Sequence, residues 1–175
     1  TGSGAFILAN APSGHDRAMI TGLTPGKIVD YGLRDSMNMG ACMAPAAADT
    51  IRQHFEDFGR KPQDYDLIVT GDLGILGKQI VLEQMNLDGF DLTGRYDDCG
   101  VMIFDSVRQD VHAGGSGCGC SAAVLNGYLL RMMREGCWRR IILAPTGALL
   151  SPTSSFQGES IPGICHAVAI ENVRC

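Results

Sequence analysis

Gly114-Gly115-Ser116-Gly117-Cys118-Gly119-Cys120-Ser121 runs directly into Val124, Leu125, Tyr128, Leu129 and Met132, and then into Arg139-Arg140-Ile141-Ile142-Leu143-Ala144. The middle set recurs at helical spacing, and the last is a β-rich run. Arg131, Arg134 and Gly136 supply the cations and the stop expected where that helix ends. A strand leading into a glycine turn and then a helix points several backbone N–H groups at one place, with the helix dipole behind them. Such a place suits a carboxylate, a phosphate or an oxyanion. Glycines there equally let a helix pack tightly on a sheet, and at this level both readings stand.

Working outward, the chain alternates. Gly4-Ala5-Phe6-Ile7-Leu8-Ala9-Asn10, closed by Pro12, Ser13 and Gly14, reads as a buried strand and a turn. Ile20 to Asp30 has strand character interrupted by the turn Thr24-Pro25-Gly26. Ala44, Ala48, Ile51, Phe55 and Phe58 form one helical face, with Pro45 in a first turn and Gly59 as the stop. After the turn Arg60 to Asp64, Tyr65-Asp66-Leu67-Ile68-Val69-Thr70 is a strand opening into Gly71-Asp72, and Ile75 to Met85 is a shorter helix. From Asn86 to Asp110 only the island Val101-Met102-Ile103-Phe104 is apolar. Pro145 to Gly163 reads as a long loop, and Ile164 to Ile170 as a last strand. The result is an α/β layer around a central sheet, with no repeat, low-complexity tract or clear linker.

Composition narrows the function. The 175 residues, 45% hydrophobic and 19% charged with 23 Gly, suit one compact domain with its own core. A net charge of -5 argues against a surface built to neutralise phosphates, so no nucleic acid is expected as partner. No run approaches the roughly 20 apolar residues that cross a bilayer, and Thr1-Gly2-Ser3-Gly4 does not resemble a signal peptide. Membrane contact is therefore expected by docking. Seven cysteines lack paired C-x-x-C spacing and read as reduced thiols, with no structural metal.

Three motif readings fail. Gly117-Cys118-Gly119-Cys120-Ser121-Ala122 matches G-x-G-x-x-A, but the next strand ends Leu143-Ala144-Pro145-Thr146, without the acid a ribose needs. Gly114-Gly115-Ser116-Gly117-Cys118 has Cys where a G-x-S-x-G elbow needs Gly. Cys165 and His166 are adjacent on a strand, so they face opposite ways, and Cys165 is expected in the core. His112, just before the glycine run, is the better-placed imidazole; His15 and His54 are assigned no role.

Tyr96-Asp97-Asp98-Cys99-Gly100, the run Asp110 to Ala122, and Asp35-Ser36-Met37-Asn38-Met39-Gly40-Ala41-Cys42-Met43-Ala44-Pro45-Ala46-Ala47-Ala48 together closely resemble a family of sporulation proteins in the thiolase-like superfamily. The resemblance implies an α/β, thiolase-like fold: the C-terminal half of a five-layered α-β-α-β-α architecture with a mixed central sheet. Residues 1–30 would be the end of the N-terminal half and a crossover, and 31–175 the C-terminal half. An N-terminal thiolase-like half is then an expected partner, as is a dimer.

Laid over this chain, the superfamily's chemistry is missing. The histidine that ketoacyl synthases keep after the strand at Leu67–Thr70 is replaced by Gly71, followed by Asp72. The polar residue of the glycine turn falls on or near Ser116, and the second thiolase cysteine falls near Ala144-Pro145. Carbon–carbon condensation is thus not expected. The implied role is binding of dipicolinic acid, pyridine-2,6-dicarboxylate, and support of its uptake into the developing spore. That places the protein on the cytoplasmic face of the spore inner membrane, beside integral membrane subunits of one transport assembly. The expected ligand-binding residues are Gly71, Asp72, His112, Gly115, Ser116, Gly117, Cys118, Thr146 and Gly147. No resident cofactor is expected, although Asp72 could meet a calcium ion (Ca2+) carried by the ligand. The alternatives are an acyltransferase acting on acyl-CoA and a scaffold subunit that binds nothing small.

Overall fold

The computed structural model describes residues 2–10, 18–115 and 117–172. Pro12, Ser13, Gly14, His15, Ser116 and Cys175 lie outside them.

Among the described residues six strands form one mixed sheet. They are β1 (Ala18–Pro25), β2 (Leu67–Thr70), β3 (Tyr96–Asp98), β4 (Arg140–Ala144), β5 (Thr146–Ala148) and β6 (Gly163–Asn172). The order is β1-β6-β4-β2-β3; β2 runs parallel to β3 and β4, while β6 is antiparallel to β1, β4 and β5. Period-2 alternation sorts the side chains. Ile68, Ile142, Ala167 and Ala169 face one core with helices α1 (Met39–Phe58) and α2 (Gly74–Leu87). Leu67, Val69, Ile141, Leu143 and Ile170 face the other, against α3 (Cys99–Met102) and the helical run of α4 (Cys120–Val124), a π-turn at Leu125–Leu129 and α5 (Leu130–Arg134). The strands expected at Tyr65–Thr70, Arg139–Ala144 and Ile164–Ile170 are present, as are the helices at Ile75–Met85 and after Ser121.

Other expectations need correction. Helix α1 begins at Met39, not Ala44; Asn38 Oδ1 caps it by accepting from the Ala41 N–H at 3.4 Å, and Pro45 lies inside it. Proline removes one intrahelical bond there, which the packed alanines around it outweigh. Gly59 ends the helix with φ 56°, as expected. Residues 4–10 form no strand: Phe6, Ile7 and Leu8 are 55%, 96% and 70% exposed. A strand needs a ladder partner, and Gly2 and Gly4 lie instead against Ala123 and Ala122 of α4. No strand leads into the glycine run either; β3 and α3 precede an irregular stretch. The long loop after Pro145 contains β5 and the short helix α6 (Pro152–Phe156). β5 continues the pairing of β4 along β6 beyond the proline, which cannot donate to the ladder.

Candidate functional site

Parallel pairing sets Thr70 beside both Asp98 and Ala144, so the C-terminal ends of β2, β3 and β4 share one edge of the sheet. In open α/β sheets, that edge is where ligands collect. It carries Gly71-Asp72 after β2, Asp98 at the end of β3, and Pro145-Thr146 after β4. Gly71 lies close against Thr146: a Cβ built on it would stand 2.8 Å from the Thr146 nitrogen. The Thr146 Oγ1 is buried and lacks a hydrogen-bond partner among the described residues. Gly147 follows on β5, paired with Ile164.

Asp98 is the residue that sequence reasoning passed over. Fully buried, it accepts from the N–H groups of Leu73, Gly74 and Gly100, each at 3.0 Å, and from the Thr70 hydroxyl at 2.7 Å. One carboxylate thereby satisfies donors at the start of α2 and of α3. Burial raises its pKa against the opposing pull of these donors. The signal lay in Tyr96-Asp97-Asp98-Cys99-Gly100, where an acid stands just before a thiol and a glycine.

Asp72 meets the glycine run directly. The Gly117 N–H donates to Asp72 Oδ2 at 2.7 Å, while the Gly115 N–H is taken by the Gly100 carbonyl at 3.0 Å and the Gly114 N–H by Val111 at 2.8 Å. Gly114, Gly115 and Gly117 have φ of 81°, 98° and 91°, conformations that L side chains rarely adopt. A Cβ on Gly100 would overlap Asp72 Oδ1, and one on Gly115 would stand 3.4 Å from the same oxygen. Three glycines therefore enclose the Asp72 carboxylate.

The remaining candidates divide. Cys118 is exposed in the same turn. Ser116 falls outside the described residues. His112 takes a left-handed φ of 47° and turns its ring to solvent, 89% exposed, with Asp110 Oδ1 3.7 Å from Nε2. Cys165 is buried and His166 exposed on the opposite side of β6, as the alternation demands. Burial lifts the Cys165 thiol to about 12 and pushes the buried Cys99 thiol up as well. Among the described residues no three metal-binding side chains cluster, and no helix is long and apolar enough to cross a membrane.

Over 94% of the chain the fold matches 51% of AbyA1, a tetronic acid condensing enzyme, with a TM-score of 0.51 at 13% identity. Bacillus anthracis acetyl-CoA acetyltransferase (TM-score 0.48, 18% identity, 89% of this chain and 30% of that one) and human mitochondrial 3-ketoacyl-CoA thiolase (0.47, 17%, 89% and 30%) are also similar. The family model described as stage V sporulation protein AD matches residues 1–171. Stage V sporulation protein AD of Bacillus subtilis (strain 168) is 47% identical over 171 residues, 98% of this chain and 49% of that protein, so the chain spans about half the length of this relative. With a family match running almost end to end, the chain belongs to the stage V sporulation protein AD family.

Proposed function

We infer that this chain is the C-terminal half of a non-catalytic thiolase-fold protein that binds dipicolinate and supports its uptake into the developing spore. The observation that carries this reading is a carboxylate, that of Asp72, seated among glycine backbones at the strand ends. The position takes a carboxylate oxygen, and dipicolinate brings four. The Cys99 and Cys165 thiols are buried with raised pKa and the His112 ring is in solvent, which favours binding over acyl chemistry by these groups. Because the chain is net acidic, attraction for a dianion is local, and the Gly117 N–H at the Asp72 position is the donor of the glycine run that serves it.

The working site comprises Gly71, Asp72, Gly115, Ser116, Gly117, Cys118, Thr146 and Gly147, with His112 at its margin, and its other wall belongs to an N-terminal half. Calcium enters as part of the cargo. The protein works at the cytoplasmic face of the spore inner membrane, docked on integral membrane subunits. Calorimetry on the full-length protein tests this reading: saturable binding of dipicolinate with no turnover of acetyl-CoA is the expected result. Thioester cleavage would favour an acyltransferase, and silence in both assays a scaffold.

A further inference from the structure

A groove separates α1 from α2, the two helices that cover one face of the sheet. Pro45, Ala48, Asp49 and Arg52 form one stripe of α1 at helical spacing, and Gln84, Leu87 and Asp88 line the groove from the end of α2. Pro45 and Ala48 are short and buried, and the cavity above them measures about 260 Å3. Small-molecule sites run to roughly 300–1,000 Å3, so this one suits a single side chain better than a whole metabolite. Its lining favours a cation. Gln84 Oε1 is buried and has no hydrogen-bond partner among the described residues, an acceptor without a donor. Arg52 makes its closer contacts with Asp49 at 2.8 Å and Glu56 at 3.4 Å, and it reaches Asp88, 49% exposed at the rim, only at 3.8 Å. With Lys27, 3.1 Å from Asp49, three carboxylates in this cluster stand against two cations. Tyr31, 66% exposed, adds an aromatic wall of the kind that attracts ammonium and guanidinium groups.

We propose that this groove docks a lysine or arginine side chain from a cytoplasmic loop of an integral membrane protein. Such loops carry an excess of Lys and Arg, which complements a chain whose net charge is -5. The incoming nitrogen donates to Gln84 Oε1 and pairs with Asp88, while its apolar stem lies along Pro45, Ala48 and the exposed Leu87. The proposal rests on the part of the functional reading that sets the protein beside membrane subunits. It concerns a surface separate from the strand-end site, because Gln84 lies ten residues beyond Gly74, roughly 15 Å along α2.

The test uses full-length protein and two measurements. Capped tripeptides with Arg, Lys or Gln at the centre are titrated in while the backbone amides of Gln84 and Leu87 are followed by NMR. Pelleting is then measured with membranes from sporulating cells, with the same membranes shaved by protease, and with protein-free phosphatidylglycerol vesicles. The two basic peptides shift these amides saturably and the Gln peptide does not. Gln84→Leu and Asp88→Asn each weaken binding of the Arg peptide about five- to tenfold, the scale of one hydrogen bond or ion pair. Asp88→Arg leaves the melting temperature in place and abolishes pelleting, as does shaving, and the vesicles pellet nothing. An equal response to all three peptides overturns the proposal, and so does a wild type that stays in solution with every membrane or an Asp88→Arg variant that pellets like wild type. Pelleting on the vesicles also overturns it and makes the surface a lipid contact, and a dimer lost in Asp88→Arg overturns it in favour of a second copy. Dipicolinate calorimetry on the same proteins keeps the two readings apart: binding that persists when docking fails leaves the ligand site standing, and docking without dipicolinate binding removes the ligand and keeps the groove.

Discussion

His54 has no role legible from its place in the chain, yet with Thr24 and Tyr65 it is the buried centre of a hydrogen-bonded relay whose ends, Asp57 and Arg60, reach the surface. The Thr24 hydroxyl donates to Asp57 at 3.3 Å, so its oxygen accepts the His54 Nδ1–H at 2.8 Å. Nε2 is then an acceptor for the Tyr65 O–H at 2.8 Å, and the Tyr65 oxygen accepts from Arg60 at 3.2 Å. Every member is satisfied only while the ring is neutral. Burial first, and then the Arg60 charge, hold the His54 pKa near 4 against an ordinary 6.5. The unfolded chain therefore takes up this proton first, so stability is complete above pH 6.5 and declines as pH falls toward 4. Glu171, bonded by Arg140 and Thr21, is held down to about 2 from 4.5, which adds a second loss as pH falls through that lower window. Thermal melting across pH should show both arms. His54→Gln is expected to flatten the upper one and Glu171→Gln the lower, at a cost on the order of 2–3 kcal/mol each at neutral pH. A melting temperature that stays level from pH 7 to 5 in wild type would contradict the His54 account. None of this was legible in sequence, because the partners come from β1, α1, the segment that follows it, β4 and β6.

At the scale of elements, what sequence missed was short. β3 and β5 have three residues each and α6 has five, too few for a period of 2 or 3.6 to declare itself. β3 nevertheless organises the site, because it delivers Asp98 to the openings of α2 and α3. Asp98→Ala leaves the N–H groups of Leu73, Gly74 and Gly100 without their acceptor and removes one partner of the Thr70 hydroxyl, which keeps Tyr96 within reach at 2.8 Å. Loss of about 4 kcal/mol is expected, measured by denaturant unfolding, and a loss below about 1 kcal/mol would show that other acceptors replace it. The long helices, by contrast, were legible from their apolar faces and from the Gly59 and Gly136 stops. Only the start of α1 slipped, since Pro45 looks like a first-turn residue in sequence and is accommodated in the interior.

Across the whole molecule, the sheet is covered on both faces, and much apolar surface is still left in water. Met37, Val107 and Phe156 are each more than 90% exposed, and along the edge strand β1 Met19, Ile20 and Leu23 are open as well. Singly exposed residues are ordinary, but an open edge strand with apolar side chains offers an interaction surface. Sedimentation of this chain alone is expected to show concentration-dependent self-association that co-expression of the N-terminal half relieves; a monomer at all concentrations would argue against a covered face. The sequence by itself determined the alternation of strands and helices, the burial of Cys165 away from His166, and the family, because each rests on local periodicity or contiguous motif. Tertiary structure alone decided that the anion beside the glycine run is Asp72, 45 residues away in the chain. Only the folded sheet brings the ends of parallel strands to one edge, and a hydrogen bond between groups so far apart in sequence has no local pattern by which to be read.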